Sequence, residues 1–157
     1  MRIAISGHRG LPATTVALVD AALRAELSTL GPDLVGLSCL ADGADTLFAR
    51  AVLDLGGRLE VIIPAQQYRD GLPADHHRDY DELLAAATAI HRMDFIESTA
   101  EAHMAASEYM VNHADRLLAV WDGKPARGYG GTADVVAYAR TQGVPVIVVW
   151  PDGASRD

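Results

Sequence analysis

Three turns hold the residues of this chain whose types suit recognition or chemistry. They read Ser6-Gly7-His8-Arg9-Gly10, Ala41-Asp42-Gly43-Ala44-Asp45 and Gly128-Tyr129-Gly130-Gly131-Thr132, and each follows an apolar run. In the first, Gly7 lets the backbone turn sharply or approach a ligand closely. Arg9 is a permanent planar cation suited to phosphate or carboxylate, and His8 has a hydrogen bond to offer an oxyanion. A plain strand-to-helix turn with Arg9 in solvent explains Arg9 about as well. The turn is not the G-x-G-x-x-G dinucleotide fingerprint, so a nicotinamide cofactor is not expected.

In the second turn, Asp42 stands where an N-cap would, and Asp45 falls in the first turn of the helix that follows. Two carboxylates repel phosphate, so a functional part for Asp42-Gly43-Ala44-Asp45 would be to meet sugar hydroxyls or a base edge. The third turn is the most specific. A polar loop at 122–127 carries Asp122, Lys124 and Arg127, and Gly130-Gly131-Thr132 then opens the last helix. Paired glycines at a helix start expose amides that attract anions, and Thr132 is placed to cap that helix. Asp134 lies in the first turn, either as a favourable dipole contact or as a carboxylate facing a sugar.

These turns need elements to carry them. Short apolar runs rich in Val, Ile and Leu at 2–6, 34–39, 59–63, 116–121 and 144–149, with a weaker one at 94–96, read as strands covered on both faces. Helical stretches at 14–29, 44–55, 75–91, 100–114 and 133–141 alternate with them. Val16, Val19, Leu23 and Leu27 mark one buried helical face. The alternation predicts an α/β, Rossmann-like, doubly wound and mostly parallel sheet of about six strands with helices on both faces. Such sheets hold ligands where loops leave the carboxyl ends of their strands. The segment 66–79 is a candidate cover for that edge.

The 157 residues suit a single domain over 1–151 with a short tail at 152–157. No apolar run approaches the roughly 18 residues of a membrane span, so no membrane partner is expected. A formal charge of −8 argues against a nucleic-acid duplex as partner. One cysteine, Cys39, suits a reducing cytoplasm, and its place at a strand end suits a small core residue more than a nucleophile. His76, His77 and Asp79 lack companion ligand spacing, and a solvated helix start is the better reading, so no metal is expected. His103 and His113 are too far apart along one helix to share one. No P-loop and no Gly-x-Ser-x-Gly elbow is present.

In order and spacing, strand-Gly7-His8-Arg9, the Gly43-Ala44-Asp45 turn and strand-Asp122-Gly123 followed by Gly130-Gly131-Thr132-Ala133-Asp134 resemble the SLOG superfamily of Rossmann-like proteins. That group includes DprA, the YpsA-like proteins and the "Lonely guy" (LOG) phosphoribohydrolases once described as lysine decarboxylases. The resemblance runs from Arg2 to about Pro151 and implies binding of a nucleotide or nucleotide derivative, with no cofactor required. It also implies an oligomer, for which a homodimer through the Ala- and Met-bearing helices is the expectation. The phosphoribohydrolase branch binds phosphate through Gly-Gly-x-Gly-Thr-x-x-Glu, which residues 129–134 match in part, with Asp134 in the carboxylate's place. That branch also carries an arginine on the preceding helix, where residues 103–114 have no Arg or Lys. The third turn is similar as well to that of nucleoside deoxyribosyltransferases. The expectation is therefore a nucleotide-binding sensor or carrier. The alternative is an enzyme that cleaves an N-glycosidic bond with Asp134 as its catalytic group.

Overall fold

The computed structural model describes residues 1–156. Six strands and five α-helices alternate along them: β1 (Arg2–Gly7), α1 (Ala13–Ser28), β2 (Val35–Ser38), α2 (Ala44–Asp54), β3 (Arg58–Ile63), α3 (His77–Ala86), β4 (Ala89–Arg92), α4 (Ala100–Asn112), β5 (Arg116–Val120), α5 (Thr132–Thr141) and β6 (Val146–Val148). The sheet is wholly parallel in the order β4-β3-β2-β1-β5-β6. The chain winds outward from β1 to β4, crosses back to β5 and winds the other way. The reversal puts the exits of β1 and β5 side by side, which is the point where such sheets open a crevice.

Alternation along each strand divides the core in two. Ile3, Ile5, Leu118 and Val120 face α1 and α2, where Val19, Leu23, Phe48 and Val52 meet them. Ala4, Leu37, Leu117 and Ala119 face the opposite layer, built on Met104 and Met110 of α4 and Val135 and Val136 of α5. Gly36 in β2 allows α2 to lie against the sheet. A Cβ there would stand 2.7 Å from Val52 Cγ2 and 2.9 Å from Phe48 Cε1.

Three expectations need correction. The fourth strand is Ala89–Arg92 and not 94–96, and α3 ends at Ala86 instead of running to 91. β4 is an edge strand whose residues alternate between half-buried and exposed. It has no uniformly apolar run to betray it, and the helical pattern before it blurs into it. Residues 66–67 then hook under the chain past β4, with the amides of Gln66 and Gln67 donating to the carbonyls of Phe95 and Ile96. His76, expected at a solvated helix start, is buried, and its Nε2 lies 2.9 Å from the Leu40 carbonyl.

The close seat of α2 gives a test of this packing. Gly36→Val is expected to lose roughly 1–3 kcal/mol of stability through overpacking, read as a lower urea midpoint with an unchanged m-value.

Candidate functional site

The exits of β1, β2 and β5 are bound together by His8. Its amide donates to the Val120 carbonyl (3.2 Å), and its carbonyl accepts from the Ala44 amide (3.2 Å). Its ring Nε2 accepts from the Asp122 amide at 3.0 Å. Glycine is required where these segments touch. A Cβ on Gly43, which has a φ of +89°, would meet the His8 carbonyl at 2.6 Å, and one on Gly7 would strike Ala44 and reach Val120 Cβ at 2.8 Å.

Over this junction lies a cavity of about 480 Å³, within the usual range for small-molecule sites. From the first turn Gly7, His8 and Arg9 line it, from the second Asp42 and Asp45, and from the third Gly130, Gly131 and Thr132. The four other residues singled out, Gly43, Ala44, Asp122 and Asp134, are not on its lining. Gly43 and Ala44 set its wall from behind. Asp122 Oδ1 accepts from the Lys124 amide, and Asp134 Oδ2 accepts from the Gly130 amide at 2.9 Å. Lys124 stays outside the lining, whereas Arg127 is on it.

The local geometry departs from the expected capping. Gly43 is the N-cap of α2, so Asp42 sits one residue too early and has no capping bond. Asp42 instead accepts from Arg9, at 2.9 Å from Nε and 2.8 Å from Nη2. Gly131 is the N-cap of α5, which places Thr132 at the first helical position. The glycine amides are spent within the loop, Gly130 on Asp134 and Gly131 on the Gly128 carbonyl. Among the described residues, the amides left open there belong to Thr132 and Ala133.

The cavity has two electrostatic characters. Arg9 is matched by Asp42, but Arg127 has no ionic partner among the described residues. Arg156 also lines the cavity, and its nearest carboxylate oxygen is Asp122 Oδ2 at 3.9 Å. On the other side stand Asp45, Cys39, Tyr68 and His103. Tyr68 comes from the segment expected to cover the site, and its ring meets His103 edge-on at 5.5 Å. Burial pushes the thiol of Cys39 and the phenol of Tyr68 well above their usual values. Burial likewise raises Asp45 to about 7, against the opposing pull of the Ala41 amide and Arg9. Burial, with Arg156 and then Arg127 nearby, lowers His8, so the ring is neutral at pH 7 with its proton on Nδ1.

Sequence reading missed Arg156, which was assigned to a tail. A solitary arginine beyond the last strand carries no local signal, and only the folding-back of the chain gives it meaning. Tyr68 belongs to the 66–79 segment expected to cover that edge, whereas His103, on α4 and away from any strand exit, was missed as a lining residue. No cluster of metal-binding side chains occurs among the described residues. No described helix is long and apolar enough to cross a membrane.

Asp45 makes a pH prediction. Its carboxyl is protonated in the folded protein but ionised in the unfolded chain between about pH 4 and 7, so its cost to stability accumulates as pH rises through that window and then levels off. Asp45→Asn is expected to melt higher than the parent, with a gap that widens from pH 4.5 to about 7 and is constant above. Melting curves over that range check it, and a gap independent of pH contradicts it.

No model of a protein family matches the sequence, and no curated protein does. Solved structures do match it. DprA of Streptococcus pneumoniae superposes with a TM-score of 0.70 at 18% identity, over 97% of this chain and 51% of that one. DprA of Helicobacter pylori, whose structure describes a single-stranded DNA binding mode, gives 0.69 at 19% identity, over 99% and 68%. The molybdenum cofactor binding protein of Rippkaea orientalis gives 0.62 at 18% identity, over 96% and 77%. This chain spans about half the length of the pneumococcal protein. At such identities the likeness is one of fold: the chain has the Rossmann-like architecture of DprA and its structural relatives, as its resemblance to the SLOG superfamily implies.

Proposed function

We propose that this protein binds an anionic, nucleotide-derived small molecule in the cavity at the β1–β5 switch point. The observation that carries this reading is the meeting of Arg9, Asp45, Arg127 and the amino end of α5 around one cavity of about 480 Å³. A phosphate suits the side with Arg127 and the open amides of Thr132 and Ala133, since a helix amino end and a guanidinium both favour negative charge. The sugar and base lie toward Asp45, Tyr68 and His103. There a protonated Asp45 donates a hydrogen bond and an ionised one accepts, and the aromatic edges give a heterocycle an apolar wall. Arg9, neutralised by Asp42, bridges the two sides and orients the ligand.

The H. pylori relative is described with single-stranded DNA. A polymer of phosphates needs cations along a groove. Here the overall charge is −8, and three of the thirteen Lys and Arg residues, Arg9, Arg127 and Arg156, line one cavity, which supports a single small anion instead.

Thermal-shift and calorimetric titration with nucleoside mono-, di- and cyclic phosphates test the reading. At least one is expected to stabilise the protein, with that binding weakened about ten-fold or more by Arg127→Ala. Gly131→Val, whose Cβ would meet Ala126 Cβ at 2.8 Å, is expected to abolish it. Unchanged binding in both variants would overturn the assignment.

A second reading, cleavage of an N-glycosidic bond, draws support from Asp45, a buried carboxyl on the cavity wall that titrates near neutrality. Asp134 supports it less, because its carboxylate is bonded to the Gly130 amide. Chromatography for free base after incubation with nucleotides separates the two readings. Base release that Asp45→Asn abolishes favours the enzyme. Saturable binding without release favours the binding domain.

A further inference from the structure

After β6 the chain turns back on itself. The Ala154 amide donates to the Pro151 carbonyl at 3.0 Å, and Gly153 takes a φ of +89°. The returning strand is then fastened to α1 by a single buried hydroxyl. Thr15 Oγ1 donates to the Ser155 carbonyl (3.0 Å) and accepts from the Ser155 amide (2.9 Å). Thr15 is fully buried, so both of its hydrogen-bonding capacities are committed to this task. The next residue is Arg156, held at the cavity with a side chain only 20% exposed.

A partly buried guanidinium ordinarily has its donors satisfied. Arg156 makes no hydrogen bond with any described residue, and the carboxylate paired with it among the described residues is Asp122 at 3.9 Å, beyond hydrogen-bonding distance. Arg9 is different, since Asp42 takes both its Nε and its Nη2. The uncommitted guanidiniums are therefore Arg156, from the strap after β6, and Arg127, from the β5–α5 loop. Both are close enough to His8 to oppose its protonation. Thr132, whose amide has no bonded partner among the described residues, lines the same cavity.

We propose that residues 151–156 are a strap that completes the site, with Arg156 and Arg127 together binding a terminal phosphomonoester of the ligand. Two guanidiniums without hydrogen bonds to any described residue match the roughly two negative charges that a monoester carries at pH 7, whereas a phosphodiester carries one. The bidentate fork of Arg156 reaches two oxygens of a terminal phosphate. Asp122 keeps that side chain near the cavity in the absence of the anion without consuming its donors. This assignment rests on the nucleotide-binding reading and narrows it to nucleoside monophosphates with a free phosphate.

Calorimetry of the full chain with AMP, GMP and cyclic AMP provides the test, using the parent protein, Arg156→Gln and Thr15→Val. The parent is expected to bind a monophosphate at least ~10-fold more tightly than the cyclic diester. Arg156→Gln is expected to remove most of that preference, weakening monophosphate binding by more than it weakens diester binding. Thr15→Val, which unfastens the strap but leaves the guanidinium in place, should shift the preference in the same direction by less. Because Thr15 is buried, its variant counts only with a melting temperature near the parent's, and Arg156→Gln carries the test by itself. Monophosphate binding within two-fold of the parent in Arg156→Gln overturns the strap while leaving the site intact. Equal affinity of the parent for diester and monoester overturns the monoester assignment. Failure of the parent to bind any nucleoside phosphate overturns the functional reading as a whole.

Discussion

The contact between the His8 carbonyl and the Ala44 amide determines whether this molecule has a site at all. It brings the exits of β1 and β2 to backbone contact. That approach is open only to a chain with glycine at positions 7 and 43, where any Cβ would collide with the neighbouring loop. The His8 ring extends the junction to the exit of β5 through the Asp122 amide. The histidine thus acts as a keystone of three loops. Burial that keeps its ring neutral also keeps Nε2 an acceptor, so the same desolvation that depresses its basicity preserves the junction.

Two groups of charged side chains differ in how far their members satisfy one another. Among Arg2 of β1, Glu60 of β3 and His91 of β4 the polar groups are mutually satisfied. Arg2 makes a forked pair with Glu60 at 2.9 and 3.1 Å, and His91 Nε2 is 3.0 Å from the same carboxylate. At the carboxyl ends the balance is incomplete. Among the described residues Arg127 has no carboxylate partner and Arg156 only a distant one, Asp122 at 3.9 Å, and Asp45 sits where burial lifts it to about 7. Strained or mismatched electrostatics of this kind concentrate at functional sites, because the missing partner is supplied by a ligand. The fold is ordinary in its class, so function lies in the side chains at this edge and not in the architecture.

Much of this was legible before any coordinates. Strands buried on both faces announce themselves as apolar runs, so β1, β2, β3 and β5 follow from pattern alone, whereas the order that sets β1 beside β5 does not. The half-exposed edge strand β4 does not, since its Ala-Ile-His-Arg carries no such run. The three turns were visible because glycine is demanded where backbones touch. Which residue caps a helix was not, because the positive φ of Gly43 moves the cap one position past Asp42. Arg156 was invisible in principle. Its place depends on a hydroxyl 141 positions earlier, at Thr15, and a contact of that range leaves no trace in local sequence.

The central claim is that remote segments converge on a single phosphate. A crystal structure of the protein soaked or grown with a nucleoside monophosphate tests it most directly. The account predicts density for the phosphate between Arg127, Arg156 and the amides of Thr132 and Ala133, with the base toward Tyr68 and His103. Ligand density at any other surface, with this cavity holding only solvent at saturating concentration, would contradict it.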